Sequence, residues 1–130
     1  MALKITKWDK VFSEYIRERD DWTCQRCGVK YNKNSSSRRG LHCSHYIGRS
    51  NWKTRLEPTN AMALCYGCHR FVGSNPMDHH ELWMKRFDIK KRGELLERKN
   101  DQTIKKRDVA NDETLVKLKG MLKEIKDRNI

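Results

Sequence analysis

Four of the five cysteines fall into two pairs of equal spacing, Cys24-x-x-Cys27 and Cys65-x-x-Cys68, with 37 residues between the pairs. A short turn of this kind presents two thiolates to one ion, and two such turns close a tetrahedral four-thiolate zinc site. A redox dithiol would account for a single pair, but two pairs on a basic chain with no alternating βα pattern point to metal. Four thiolates leave no open position for water, so this zinc is expected to be structural. Cys43 is left over, and on a strand it reads as a small buried residue.

A second set of residues lies between and just after these knuckles: His42 and His45, then Asn60, then His69 directly after Cys68. These types in this order suit phosphodiester hydrolysis. That reaction needs a base to activate water, a divalent ion to stabilise the phosphate and its leaving oxygen, and a group to orient the base. His45 fits the base, Asn60 the orienting group and His69 a metal ligand. Each also has a plainer reading. A lone histidine can satisfy a backbone group, an asparagine is an ordinary turn or cap residue, and His69 is an alternative zinc ligand only if the four-cysteine shell is not already full.

The elements that must hold these residues follow from the hydrophobic pattern. Asp9 can cap a first helix reaching about Asp20, with Val11, Phe12, Tyr15 and Ile16 on one face. Residues 22–31 read as the first knuckle, with Gly28 supplying the freedom its turn needs, and residues 32–40 have the composition of a loop. Residues 41–47 have the alternation of a strand carrying His42 and His45, and 48–58 form the connection after it. Residues 60–64 lead into the second knuckle. Asp78 can cap a helix carrying Leu82, Trp83, Arg86 and Phe87. His79 and His80 sit at its start, where capping or a phosphate contact competes with plain exposure. Trp22, Phe71 and Trp83 read as core packing rather than as platforms for bases. Residues 93–100 and 112–128 look helical. In the second of these helices Leu115, Leu118, Leu122 and Ile125 recur at a/d spacing, which fits either folding back on the domain or a homodimer through this helix.

Composition limits the partners. The chain carries 29 Lys+Arg against 17 Asp+Glu, a formal charge of +12, split as +6 up to residue 83 and +6 after it. So basic a chain suits a polyanion, with nucleic acid the first choice and a solvated basic surface the plain alternative. The mean hydropathy of -0.98 implies a thin apolar core that a metal staple would supplement. No apolar run of about 18 residues occurs, and residues 1–10 lack a secretory pattern, so a reducing cytoplasmic setting with no membrane partner is expected. At 130 residues the chain fits one domain over 1–90, with a basic helical extension over 91–130.

Taken together, C-x-x-C, then HCSHYIGRS over 42–50, Thr54-Arg55, and NAMALCYGCHR over 60–70 resemble the HNH endonucleases that carry a four-cysteine zinc site. Within these they are most similar to the phage recombination endonucleases of the NinG (Rap) family. The resemblance covers roughly residues 11–83. It implies an α+β fold with a ββα-metal core between an N-terminal helix and a C-terminal helical extension. It also implies a DNA endonuclease in the host cytoplasm, Mg²⁺ or Mn²⁺ as the catalytic ion, and branched recombination intermediates as substrates. By position, His45 would be the general base, Asn60 would fix its orientation or the loop, and His69 would bind the ion. Arg49, Arg55 and Arg70 would contact DNA. Many HNH enzymes place an Asp or His just before the base, where this chain has Ser44. His42 could supply that ligand, although strand alternation puts it on the face opposite His45. This departure keeps a second reading open, a non-catalytic zinc-containing DNA-binding module.

Overall fold

In the computed structural model, which describes residues 4–129, the first helix, α1 (Lys7–Arg19), is capped by Thr6 and not by Asp9. The Asp9 N–H donates to the Thr6 hydroxyl, and the Asp9 carboxylate accepts from the Thr6 N–H at 2.8 Å. Asp9 is therefore the acidic third residue of a capping box. Phe12 and Ile16 are buried, and Val11 and Tyr15 pack against the same cluster, as the pattern predicts. Residues 1–3 and 130, the outer ends of the two units read from the sequence, lie outside the described residues.

After α1 the chain reverses through two left-handed residues, Asp21 (φ 54°) and Trp22 (φ 51°), into the first knuckle. Strand β1 (Leu41–His45) then pairs antiparallel with β2 (Ala61–Cys65), Leu41 opposite Cys65 and His45 opposite Ala61. The strand is thus two residues shorter than the pattern suggests, and the approach to the second knuckle is itself a strand. The connection contains a short helix, α2 (Trp52–Arg55), and a 3-10 turn over Pro58–Asn60. Helix α3 (Tyr66–Ser74) starts where β2 stops.

Helix α4 (Pro76–Arg86) begins two residues before Asp78. Proline lacks an N–H and fits the first helical position, so Asp78 belongs to the first turn rather than the cap. Helix α5 (Ile89–Asn100) starts earlier than the pattern suggests because the Asp88 side chain accepts from Lys91 N at 2.9 Å. A short α6 (Lys106–Val109) precedes α7 (Asp112–Arg128), whose bounds match the sequence reading.

The architecture is α+β, with apolar clusters on both sides of the strand pair. Trp83, Met62, Leu64 and Val72 centre one cluster, which Trp22 and Leu95 join. Phe12, Ile16, Val109 and Leu118 form the other, between α1 and α7. Helix α7 therefore folds back on the domain and buries Leu118 there. Phe71 departs from its expected core position: it is exposed on α3, with the Arg26 guanidinium 4.1 Å over its ring. Among the described residues no helix is long and apolar enough to cross a membrane.

Two charged joints fix how the layers meet. The buried Asp20 carboxylate accepts from Ala63 N (2.8 Å), Arg19 Nε (2.9 Å) and Arg86 Nη2 (2.7 Å), tying the end of α1 to β2 and α4. Asp9 accepts a two-pronged bond from Arg55, Nε at 2.9 Å and Nη2 at 2.6 Å, with both side chains buried. Burial pushes the Asp9 carboxyl up, but the bonds from Arg55 and Thr6 outweigh it and hold the group below its ordinary range. Removing one partner strands the other charge in the interior. Asp9→Ala is therefore expected to cost about 3–5 kcal/mol in denaturant unfolding at neutral pH. The difference from wild type should shrink as pH falls through the carboxylate range, because a depressed folded pKa contributes stability only above it.

Candidate functional site

The two knuckles meet. The sulfurs of Cys24, Cys27, Cys65 and Cys68 all lie within 4.8 Å of one another, with Cys27 and Cys65 Sγ 3.8 Å apart. Zn–S bonds of about 2.3 Å in a regular tetrahedron give an edge of about 3.8 Å, so the four thiols fit a zinc ion. Local folding explains the convergence. Gly28 adopts φ 81°, its N–H donates to Cys24 O at 2.9 Å, and the chain closes with Cys24 N donating to Val29 O. In each knuckle the second cysteine's N–H points at the first one's sulfur, 3.5 Å for Cys27 N to Cys24 Sγ and 3.5 Å for Cys68 N to Cys65 Sγ. Cys43 stands apart, packed toward α1, where burial pushes its thiol up to about 12.

The second knuckle also sets the histidine site, because Cys65 caps α3 and thereby fixes His69 in its first turn. His69 Nδ1 lies 3.1 Å from His42 Nδ1. His42 and His45 line one cavity of about 330 Å³ with His69, although alternation puts them on opposite strand faces. Strand β1 is one of only two strands in the sheet among the described residues. Burial lowers the pKa of both His42 and His69, so two neutral imidazoles converge. Two such nitrogens can begin a divalent-cation shell.

His45 is held differently. Its Nε2 lies 2.9 Å from the Arg55 carbonyl oxygen, which can only accept, so Nε2 carries the proton and Nδ1 remains the ring's proton acceptor. Burial lowers its pKa to about 4, which keeps the ring neutral at physiological pH. The fully buried Asn60 shapes the same loop: its Oδ1 accepts from Ile47 N (2.7 Å), and its Nδ2 donates to Ile47 O (2.9 Å) and Thr54 O (3.0 Å). Asn60 therefore makes no hydrogen bond to His45. It pins the chain on both sides of the turn that carries the Arg55 carbonyl.

The arginines divide. Arg49 lines the histidine cavity, and Arg70 flanks His42 and His69 on the open side. Arg55 is buried against Asp9, so its guanidinium is structural and its main chain serves the site. Ser44 is buried and its Oγ has no partner, which removes it from the histidine cluster. Arg17 and Arg39 also line the cavity and carry no motif signal. Arg17 falls four and eight residues after Ser13 and Asp9 on one helical line, the one sequence sign that could have flagged it. His79 and His80 are half-buried against Tyr46 rather than plainly exposed. The chain matches no family model, no curated protein and no solved structure.

Two outcomes follow. The purified chain is expected to hold one zinc by elemental analysis, and a strong chelator or Cys65→Ser should abolish its cooperative thermal transition. His45 contributes a pH term of known sign. Its folded pKa is depressed, so stability is complete above the unfolded value near 6.5 and falls by about 1.4 kcal/mol per unit towards pH 4. In urea titrations across that window, His45→Gln should show a shallower acid-side loss than wild type.

Proposed function

We propose that the chain is a metal-dependent endonuclease of the HNH type that hydrolyses DNA phosphodiester bonds. One observation carries this reading: a neutral histidine with its Nε2 proton fixed on a backbone carbonyl, in one cavity with a convergent histidine pair and arginines. A positioned acceptor, cation donors and positive charge are the parts that hydrolysis of a phosphodiester requires. The order of these residues along the chain supports the same reading through its resemblance to HNH enzymes.

In this mechanism His45 Nδ1 accepts a proton from water as that water attacks phosphorus. The phosphorus–oxygen bond to the leaving sugar breaks, and solvent protonates the departing oxygen. His42 and His69 would hold a divalent cation, which would supply charge stabilisation to the reacting phosphate. Two imidazole donors suit Mn²⁺ better than Mg²⁺, which prefers an all-oxygen shell. Asn60 keeps the Arg55 carbonyl in place and so keeps His45 in its productive tautomer. The zinc knuckles hold the start of α3, and with it His69.

The similarity to NinG enzymes favours branched DNA as the substrate, and a homodimer through α7 would suit a two-fold junction. With Leu118 taken up internally, such an interface would use the exposed Val116 and the half-buried Leu115, Leu122 and Ile125. A second reading, a zinc-containing DNA-binding module without catalysis, is favoured by the burial of Ser44, which leaves two histidines as the cation's protein ligands.

Labelled linear duplex, single-stranded and four-way-junction DNA, incubated with Mn²⁺ or Mg²⁺, should be cut by wild type. Zinc-loaded His45→Ala should bind the same DNA and cut it at least a hundredfold more slowly, the size expected for loss of a general base. Binding without cleavage by wild type on every substrate and ion would establish the second reading.

A further inference from the structure

The histidine cavity is lined by an arginine, Arg17, that makes no ion pair among the described residues. Arg17 reaches the cavity from α1, where Nε donates to Leu41 O at 3.1 Å and the guanidinium carbon lies 5.8 Å from the Trp22 ring centroid. Its Nη1 is buried and has no hydrogen-bond partner. Among the described residues no carboxylate pairs with it. The groups that could offset its charge are already committed. Glu14 is ion-paired with Arg38, and the Cys43 thiol is neutral at physiological pH because burial raises its pKa to about 12. Asp9, the one carboxylate lining the cavity, is held by Arg55.

An unpaired, half-buried guanidinium with an unsatisfied nitrogen is unfavourable in the free protein. Burial accordingly disfavours its charged form. An anion entering the cavity would balance this charge, because a guanidinium donates charge-assisted hydrogen bonds to phosphate oxygens. Arg39 and Arg49 line the same cavity and add to its positive field. The cavity volume of about 330 Å³ accommodates a phosphodiester with part of its flanking sugars.

We infer that Arg17 is the phosphate clamp of this cavity, gripping the non-bridging oxygens of the phosphodiester that lies against His45. The inference rests on the phosphodiester reading of the site. It assigns the role expected of Arg55 to an arginine outside every motif. Seated there, the guanidinium would help set the phosphorus in line for attack by a water activated by His45 and neutralise charge that builds on the equatorial oxygens. Lysine would keep the charge but lose the planar guanidinium and its fixed donor directions.

The experiment compares wild type, Arg17→Met and Arg17→Lys in two assays: binding to a labelled 20-base-pair duplex in EDTA across a salt series, and cleavage with Mn²⁺. Zinc content and melting temperature are measured alongside. Arg17→Met should melt at or above wild type, since it removes an unbalanced buried charge. It should reduce the steepness of log K against log salt by about one, and it should slow cleavage about a hundredfold. Arg17→Lys should restore the salt slope and leave cleavage well below wild type. A folded Arg17→Met with the wild-type slope and rate overturns the clamp while the nuclease reading stands. If wild type cuts nothing, the nuclease reading fails and the salt slope alone decides for or against phosphate contact. If Arg17→Met does not fold, Arg17→Lys decides, and a wild-type cleavage rate in that variant overturns the inference.

Discussion

An antiparallel pair of strands has no interior strand, two open edges and too little apolar surface to be stable alone. Much of this fold can be understood as the means of covering that pair. The cluster around Trp83, Met62 and Leu64 covers one side, and α1 with α7 covers the other. The knuckles anchor the ends: the first lies against β2 through Gln25 N and Ala63 O, and the second begins at the last residue of β2. The candidate site sits at this small sheet, where His42 on β1 meets His69 on α3.

Burial of apolar surface does not specify direction, and a cluster of oriented polar side chains needs direction. In this chain that role falls to a few buried polar joints. Asp20 receives bonds from three different parts of the molecule, and Asp9 and Arg55 lock α1 to the connection between the strands. Buried ion pairs of this kind add little net stability compared with apolar packing, but they define one geometry. The Arg55 backbone shows the use of that geometry. Its guanidinium is fixed by Asp9 and the neighbouring main chain by Asn60, so its carbonyl sits where His45 Nε2 must donate. A protonation state is thereby set by contacts two removes from the ring.

Spacing-encoded features were legible in the sequence, and features created by tertiary contact were not. The two C-x-x-C pairs predicted a four-sulfur cluster because each turn's geometry is local. Helix α7 and the apolar face of α1 followed from periodicity. The caps were misassigned at Asp9 and Asp78 because an acidic residue is equally at home in the first turn, and only the positions of Thr6 and Pro76 decide between the two. Arg55 stood in a motif and looked like a phosphate contact, yet its side chain is spent on Asp9, 46 residues away. Nothing local to Arg55 signals that partner. The sequence leaves Asn60 to orient either the base or the loop, and its side-chain hydrogen bonds all run to the loop.

The contrast between Arg55 and Arg17 bears on why sites are hard to read from motifs. Arg55 lies on α2 and Arg17 on α1. One is paired and hydrogen-bonded, which makes it part of the framework. The other has, among the described residues, one hydrogen bond and no counter-ion, which makes it costly to the free fold. Residues kept at a cost to stability are where ligand chemistry is to be sought, because a framework position of that kind is improved by an apolar side chain of similar shape. An imbalance of charge therefore carries information that residue identity does not: the missing partner has the sign, and the cavity gives the size, of what enters.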